Sequence, residues 1–246
     1  MKKLVVLFLI LIVTTISFAQ KNVSHNNLVW FGDFTKARLN DKWSIYLDFG
    51  FRRTEWLNKW SQVLVRPGIT CHFNKSVSAT VGVAYFSHYT ATYIRPEGRG
   101  WQQLLFNETY GRISVNHRLR AEQRFFQKVI SSQLVDGYNY NNRFRYQLNI
   151  QAPFNKKQMD DKTLYFSIAD EVFINSGKEI RNNYFDQNRL AVGLGYKLNE
   201  SFNILVSYTN IFVQRAKGEA FEDNNVLVIN IYHNFDFGRK TPKGTN

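Results

Sequence analysis

Cysteine is almost absent from this chain, since Cys71 is the only one among 246 residues. A disulfide bond within the chain is therefore excluded. A lone thiol usually behaves as a small hydrophobic side chain, so we expect Cys71 to lie on the apolar face of a strand. The five histidines are scattered along the chain, and none has the H-E-x-x-H spacing of a zinc hydrolase. The sequence thus predicts neither a metal site nor a cofactor.

Long apolar runs are also absent after the first 19 residues. A membrane-spanning helix needs about 18 or more consecutive apolar residues, so no such helix is predicted. Strands cross a lipid bilayer only as a closed barrel, because an open sheet edge leaves backbone groups unpaired in hydrocarbon. A membrane location for this chain therefore requires a β-barrel.

The first 19 residues have the pattern of a secretory signal peptide. Lys2 and Lys3 precede an apolar run over Leu4–Val13, and the small residues Ser17 and Ala19 suit a cleavage site. We predict cleavage after Ala19, which leaves residues 20–246. An uncleaved signal anchor is the alternative. Losing both lysines with the signal lowers the formal net charge from +13 to +11.

What recurs along the rest of the chain is alternation of apolar and polar side chains. The segment from 142 to 151 shows it best: Phe144, Tyr146, Leu148 and Ile150 share one strand face, opposite Arg143, Arg145, Gln147, Asn149 and Gln151. About eleven such segments follow one another without a helical pattern between them. The predicted fold is all-β, a transmembrane antiparallel up-and-down β-barrel of about 10–12 strands. It spans residues 20–237 and is followed by a C-terminal tail at 238–246.

The connections between these segments alternate in length, as they do in outer-membrane barrels. Short turns are predicted at 39–42, 74–75, 115–117 and 199–200, and long loops at 53–60, 87–100, 127–139, 175–184 and 214–223. Pro67 predicts a bulge or weakened pairing within its strand. Eleven strands conflict with the even number expected of bacterial single-chain barrels. Either residues 20–27 contain a further strand, or the first segment folds differently.

Alternation alone does not say which face is inside, because a lipocalin-like barrel has the same period with its apolar face inward. Three features favour a membrane barrel with its apolar face outward. The polar faces carry large charged residues interleaved with Gly and Ala, aromatic residues lie near the ends of the apolar faces, and the last strand ends on Phe235-Asp-Phe237. The sequence therefore predicts the bacterial outer membrane as the location.

With the apolar face outward, the charged residues of the strands form a network in the lumen. Glu108 and Arg112 are assigned to it because a basic charge at the bilayer centre costs about 2–4 kcal/mol. The network is either a selectivity lining for small anionic solutes or a set of ion pairs that plugs a narrow barrel. The predicted members are Asp48, Arg52, Arg66, Glu108, Arg112, Arg118, Arg120, Glu122, Arg124, Arg143, Arg145, Glu171 and Arg189.

Several segments together resemble the domain of unknown function 2490 family, over roughly residues 26–237. They are the opening with Trp30 and Asn40-Asp-Lys-Trp43, Arg118-Leu-Arg-Ala-Glu-Gln-Arg-Phe125, Asn142-Arg-Phe-Arg-Tyr-Gln147, Asp170-Glu-Val-Phe173 and Phe185-Asp-Gln-Asn-Arg-Leu190. The resemblance implies an outer-membrane protein of the kind found mainly in Bacteroidetes. It implies no reaction.

No catalytic residues are predicted. There is no G-x-S-x-G elbow, and Asp170 and Glu171 should point to opposite faces of one strand. Gly193-Leu-Gly195 lacks the third glycine of a nucleotide-binding loop and is interpreted as small residues on the lumen side. Nucleic-acid binding is not expected either, because the arginines lie within alternating strands and form no basic patch or helix.

The function predicted from the sequence is therefore a non-enzymatic outer-membrane barrel, acting as an envelope scaffold or as a narrow, porin-like pore with an Arg-rich lumen. A lipid-modifying hydrolase of the outer membrane and a surface-binding barrel that uses loops 87–100 and 127–139 are the alternatives. The expected partners are outer-membrane lipids, the barrel-assembly machinery during insertion, and small anionic solutes.

Overall fold

The computed structural model describes residues 22–216 and 218–238, so the predicted signal peptide and most of the predicted tail lie outside the described residues. Within them the chain is all-β, as predicted, and no helix there is long and apolar enough to cross a membrane. The strands are β1 Asn22–Arg38, β2 Trp43–Thr54, β3 Lys59–His72, β4 Val77–Tyr89, β5 Ile94–Tyr110, β6 Ile113–Ile130, β7 Gln133–Pro153, β8 Thr163–Ser176, β9 Phe185–Lys197, β10 Phe202–Gln214 and β11 Ala220–Asp236.

The eleven strands form one closed barrel, in which each strand pairs antiparallel with its neighbours in sequence. The ring closes between β1 and β11, and this pair is parallel, with Asn22 opposite Ala220 and Arg38 opposite Asp236. An odd number of strands requires one parallel pair, because consecutive strands reverse direction. Residues 22–27 lengthen β1 and do not form an extra strand, so the eleven strands counted in the sequence are confirmed and lie within the predicted range of 10–12.

The connections lie at the two ends of the barrel. We call the end at which β1 begins the upper end, and the end at which β11 finishes the lower end. The upper connections are residues 55–58, 90–93, 131–132, 177–184 and 215–219. The lower ones are residues 39–42, 73–76, 111–112, 154–162 and 198–201. The predicted turns at 39–42, 74–75 and 199–200 are found at the lower end, whereas residues 115–117 belong to β6 and the turn lies at Gly111–Arg112.

Two of the predicted long loops are largely strand. Residues 94–100 begin β5, although Pro96, Gly98 and Gly100 favour loops, and residues 127–130 and 133–139 belong to β6 and β7. The tip of the β6–β7 hairpin is a two-residue turn whose serines, Ser131 and Ser132, have φ values of 48° and 61°. Positive φ at both central residues is the geometry that continues the twist of a hairpin. Paired strands therefore replace the loops proposed for surface binding.

Pro67 leaves a gap in the pairing of β3 with β4 but does not shift the register of the two strands. The β3–β4 register is the same on both sides of the gap, with Val65 opposite Tyr85 and Gly68 opposite Gly82. Proline has no N–H to donate, so a neighbouring carbonyl needs another donor. The indole Nε1 of Trp101 donates to the Val83 carbonyl at 3.1 Å. The predicted weakening of pairing is present, but there is no bulge at this point.

The outer face of the barrel is apolar and the inner face is polar. The exposed residues include Phe49, Val81, Phe144, Val192 and Leu194, which lie at alternate positions of their strands. The buried polar or charged residues include Asp48, Arg120, Glu122 and Glu171. Two apolar clusters also lie inside, one around Trp101 and Phe86 and the other around Val226. Cys71 is half-buried and unpaired.

Gly195 faces into the barrel beneath the ring of Tyr165, its partner on β8. A Cβ atom at this position would lie 2.0 Å from Cζ of Tyr165, whose hydroxyl donates to Asn203 Oδ1 at 2.9 Å. Tyr165 is almost fully buried, so its ring has little room to move. The small residue at 195 is thus explained by the packing of one aromatic ring.

We expect the Gly195→Ala substitution to lower the free energy of unfolding by about 1–3 kcal/mol, the range for overpacking a filled interior. Gly98→Ala is the matched control, because nothing lies within 4 Å of a Cβ built there. Chemical unfolding of the refolded protein, followed by tryptophan fluorescence, measures both. Equal stability of the two variants would contradict the packing described here.

Candidate functional site: the charge network of the lumen

The structure brings eleven of the thirteen predicted network residues together on the inner face. Their guanidinium and carboxylate groups meet between the middle of the barrel and its upper end. These eleven are Asp48, Arg52, Arg66, Arg118, Arg120, Glu122, Arg124, Arg143, Arg145, Glu171 and Arg189. Alternation in a strand is sufficient to place them on one side of the sheet.

Glu108 and Arg112 lie elsewhere, contrary to the prediction. Glu108 is exposed on the outer side near the lower end of β5, where the hydroxyl of Tyr110 donates to it. Arg112 lies in the turn after β5 and donates to the Pro153 carbonyl. The inward position was predicted from the free-energy cost of placing a charged side chain against lipid. That cost is large at the middle of the membrane and falls to about 0–1 kcal/mol near the interfaces. Both residues lie at the rim, where that argument does not hold.

Glu122 on β6 is the centre of the network and is only 1 % exposed. Arg143 and Arg145 of the adjacent strand donate to its carboxylate at 2.6 and 2.7 Å, and Arg99 of β5 donates at 3.2 Å. Arg66 and Arg120 each lie 3.9 Å from Oε1 of this carboxylate. Five guanidinium groups therefore surround a single buried negative charge.

Glu97 on β5 forms a second centre toward the upper end, and it is fully buried. Arg99 donates to it at 2.5 Å and Arg124 at 2.7 Å. Nε2 of His88 lies 2.7 Å from Oε2 of Glu97, and Nδ1 of the same imidazole lies 2.9 Å from Nε2 of Gln62. The imidazole is therefore part of the hydrogen-bonded group around Glu97.

Two further predicted carboxylates, Glu171 and Asp48, also accept hydrogen bonds from arginines on the inner face. Glu171 on β8 accepts from Arg118 at 2.9 Å and from Arg145 at 2.8 Å. Asp48 on β2 accepts from Nε of Arg66 at 2.8 Å. The contact of Glu171 with Arg118 joins β8 to β6, which are not neighbours in the sheet, whereas the other two contacts join adjacent strands.

Sequence reasoning missed Glu97, Arg99 and Asp186. Arg143 donates to Asp186 at 3.0 Å, which draws β9 into the network. Glu97 and Arg99 were placed in a loop, but they continue the period-two pattern of Trp101 and Gln103 along β5. That alternation was the available signal, and the proline and glycines between the charged residues obscured it. Asp186 gave no comparable signal, because alternation groups it with the outward-facing Leu190, whereas the β8–β9 register shifts at this residue and leaves Asp186 out of the pairing.

Aromatic rings line the spaces between the guanidinium groups. Arg99 stacks on Phe86, with its Cζ 3.6 Å from the ring centroid, and Arg145 and Arg189 lie 4.4 and 4.5 Å from that of Phe173. A cation over a ring face is attracted by the ring quadrupole, more strongly when water is excluded. The rings thus stabilise positive charge that the carboxylates do not neutralise.

Positive charge is in excess within the lumen network, which we define by fourteen residues. Its nine arginines are Arg52, Arg66, Arg99, Arg118, Arg120, Arg124, Arg143, Arg145 and Arg189, and its five carboxylates are Asp48, Glu97, Glu122, Glu171 and Asp186. The excess is four formal charges if all groups are ionised. A cavity of about 750 Å³ is lined by eleven residues of the network and by further residues of both the upper and the lower half of the barrel.

The remaining candidates for chemistry do not assemble. Asp170 faces outward and accepts from Asn188, whereas Glu171 faces the lumen, as the alternation predicts. Ser44 and His72 are 2.9 Å apart near the lower end, but no carboxylate of the described chain contacts this histidine. Among the residues that the structure describes, no three His, Cys, Asp or Glu side chains are grouped as metal ligands.

A family model from the comparison with known proteins matches this chain. The model of a family described as protein of unknown function (DUF2490) matches residues 27–222, which run from β1 into β11. The chain belongs to the DUF2490 family. The matched region includes all fourteen residues of the lumen network. No curated protein and no solved structure matches the chain.

Proposed function

We propose that this DUF2490 protein is an outer-membrane β-barrel whose lumen is closed by its charge network, and that it serves as an envelope scaffold and not as an open pore. The observation that carries the proposal is the set of buried ion pairs around Glu122 and Glu97 on the adjacent strands β5, β6 and β7, to which Arg66 of β3 is joined at 3.9 Å from Glu122. On this proposal the protein is exported, loses its signal after Ala19 and acts without catalysis.

The membrane location rests on the distribution of exposed side chains. Apolar residues at alternate positions form a belt on the outer face, for example Leu190, Val192 and Leu194 on β9. An exposed apolar surface of this extent in water would favour aggregation. In a bilayer the same surface contacts lipid chains, and the closed ring leaves no sheet edge unpaired. Lipids are then its permanent partners and the barrel-assembly machinery its partner during insertion.

Two arguments support a closed lumen: the number of strands in the barrel and the pairing of its buried charged side chains. An eight-stranded barrel is filled by side chains, whereas sixteen strands leave an aqueous channel. This barrel has eleven strands, and large buried side chains such as Trp101, Tyr165 and Phe86 occupy part of its interior. Glu122, Glu97 and Trp101 are each at most 1 % exposed. The alternative is a narrow pathway for anions, and the excess of arginine over carboxylate is the observation that favours it.

Conductance measurements separate these two functions. We expect the purified protein, inserted into a planar lipid bilayer, to give no steady current above that of the bare membrane. An open sixteen-stranded porin prepared in the same detergent is the positive control. Reproducible current steps with anion selectivity would contradict the closed lumen and support the pathway. Fractionation of cell envelopes tests the location separately, since a protein recovered in the soluble fraction contradicts it.

A further inference from the structure

We propose that the lumen holds a binding site for a small oxyanion, formed by Arg52 of β2, Trp30 of β1 and Arg189 of β9. The ligand class is a phosphate or carboxylate group small enough for the adjoining cavity of about 750 Å³. All three residues line that cavity. The inference goes beyond the proposed scaffold, since binding requires neither conduction nor insertion into a membrane.

The first argument is that the network leaves these two arginines without a carboxylate. The carboxylates of Asp48, Glu97, Glu122, Glu171 and Asp186 each contact other arginines. Within the described residues, no carboxylate oxygen lies within ion-pair distance of Arg52 or Arg189. Nε of Arg189 donates to the neutral Gln187 at 2.9 Å, and Arg52 has only its stacking contact.

The second argument is that both guanidinium groups converge on one ring. The Cζ of Arg52 lies 3.8 Å from the centroid of Trp30, and the Cζ of Arg189 lies 5.0 Å from it. Two like charges held together away from bulk water are unfavourable unless a counter-charge is bound between or beside them.

The third argument is a set of hydrogen-bond donors with no acceptor. The indole Nε1 of Trp30 is buried and has no hydrogen-bond partner. Nη1 of Arg120, a residue that also lines the cavity and is 4 % exposed, has no hydrogen-bond partner either, and it lies 3.9 Å from Oε1 of Glu122. Buried donors in native proteins are nearly always paired, so orphaned donors beside excess positive charge indicate a missing acceptor.

The chemistry of these donors selects the ligand. Guanidinium groups bind carboxylate and phosphate oxygens through paired N–H donors, and an indole N–H supplies one further donor. A cation gains nothing from such a site, and a neutral solute leaves the excess charge uncompensated. An oxyanion with two negative charges matches the two guanidinium groups that have no carboxylate within ion-pair distance.

Calorimetric titration of the refolded protein in detergent tests the site, with inorganic phosphate and succinate as separate probes at constant ionic strength. We expect at least one probe to bind at a single site. Arg52→Gln and Arg189→Gln should each weaken that binding about tenfold or more, the effect of losing one charge-assisted hydrogen-bonding group. Binding of phosphate alone or of succinate alone would identify which oxyanion the site takes.

Arg53→Gln is the matched control, because this neighbour of Arg52 on β2 is turned away from the lumen and donates to the Leu57 carbonyl. Its affinity should remain within twofold of the unmodified protein. Trp30→Phe keeps the ring but removes the indole donor, so it should weaken binding several-fold. A folded Arg52→Gln/Arg189→Gln double variant that binds as tightly as the unmodified protein would overturn the proposal, as would the absence of binding for both probes.

The result of this binding experiment can be distinguished from the result of the conductance experiment that tests the proposed function. A barrel that conducts ions but binds phosphate or succinate through Arg52 and Arg189 contradicts the closed lumen and supports the site. A barrel that neither conducts nor binds either probe supports the scaffold and overturns the site.

Discussion

Replacement of Glu122 by glutamine is expected to lower the free energy of unfolding by about 3–5 kcal/mol. The two side chains have nearly the same size, so the substitution removes the charge and leaves the packing intact. Arg143, Arg145 and Arg99 would then lose the carboxylate that they share at distances between 2.6 and 3.2 Å. Breaking a buried ion pair from one side is costly because the remaining charges stay buried without compensation.

Unfolding by guanidinium chloride in lipid vesicles, followed by tryptophan fluorescence and gel mobility, measures this loss. Glu108→Gln is the control, because Glu108 is an exposed glutamate on the neighbouring strand β5 and is outside the network. Exposed substitutions of this kind usually change stability by no more than about 0.5 kcal/mol. Equal effects at the two positions would show that Glu122 is not the centre of the network.

Replacement of Val192 by arginine is the second substitution with a large expected effect. Val192 lies near the middle of β9, is 50 % exposed and is flanked on the same face by Leu190 and Leu194. In the proposed membrane location its side chain contacts lipid. A basic residue near the bilayer midplane costs about 2–4 kcal/mol, so the variant should be destabilised by that amount in vesicles.

Tyr184→Arg is the matched control, since Tyr184 is 59 % exposed in the upper connection just before the same strand. Arginine there can reach water, and we expect a change of at most about 1 kcal/mol. Chemical unfolding of both variants in vesicles of the same lipid gives the comparison. If Val192→Arg were as stable as Tyr184→Arg, the apolar belt would not be in contact with hydrocarbon.

The alternating pattern predicted most of the barrel because it is a local property of the chain. In β7, Arg143 and Arg145 share one face and Phe144 and Tyr146 the other, and the structure places them inside and outside respectively. No tertiary information is needed for that division, since successive side chains of any strand point to opposite sides. The same reasoning separated Asp170 from Glu171.

The errors arose where local preference and tertiary pairing disagree. Pro96, Gly98 and Gly100 favour a loop, yet pairing with β4 and β6 makes this segment the start of β5. Glu97 and Arg99 were lost from the predicted network for that reason. Glu108 and Arg112 were added wrongly, because the position of the turn at Gly111–Arg112 decides how far a residue lies from the rim.

The sequence by itself determined an all-β chain with one apolar and one charged side to each strand, because side-chain alternation depends only on neighbouring residues. The tertiary structure alone decided the parallel closure of β1 on β11 and the partner of each arginine. These features depend on closing the sheet, which gives it an inside. Closure also brings together groups far apart in the chain, such as Arg118 and Glu171, which are 53 residues apart.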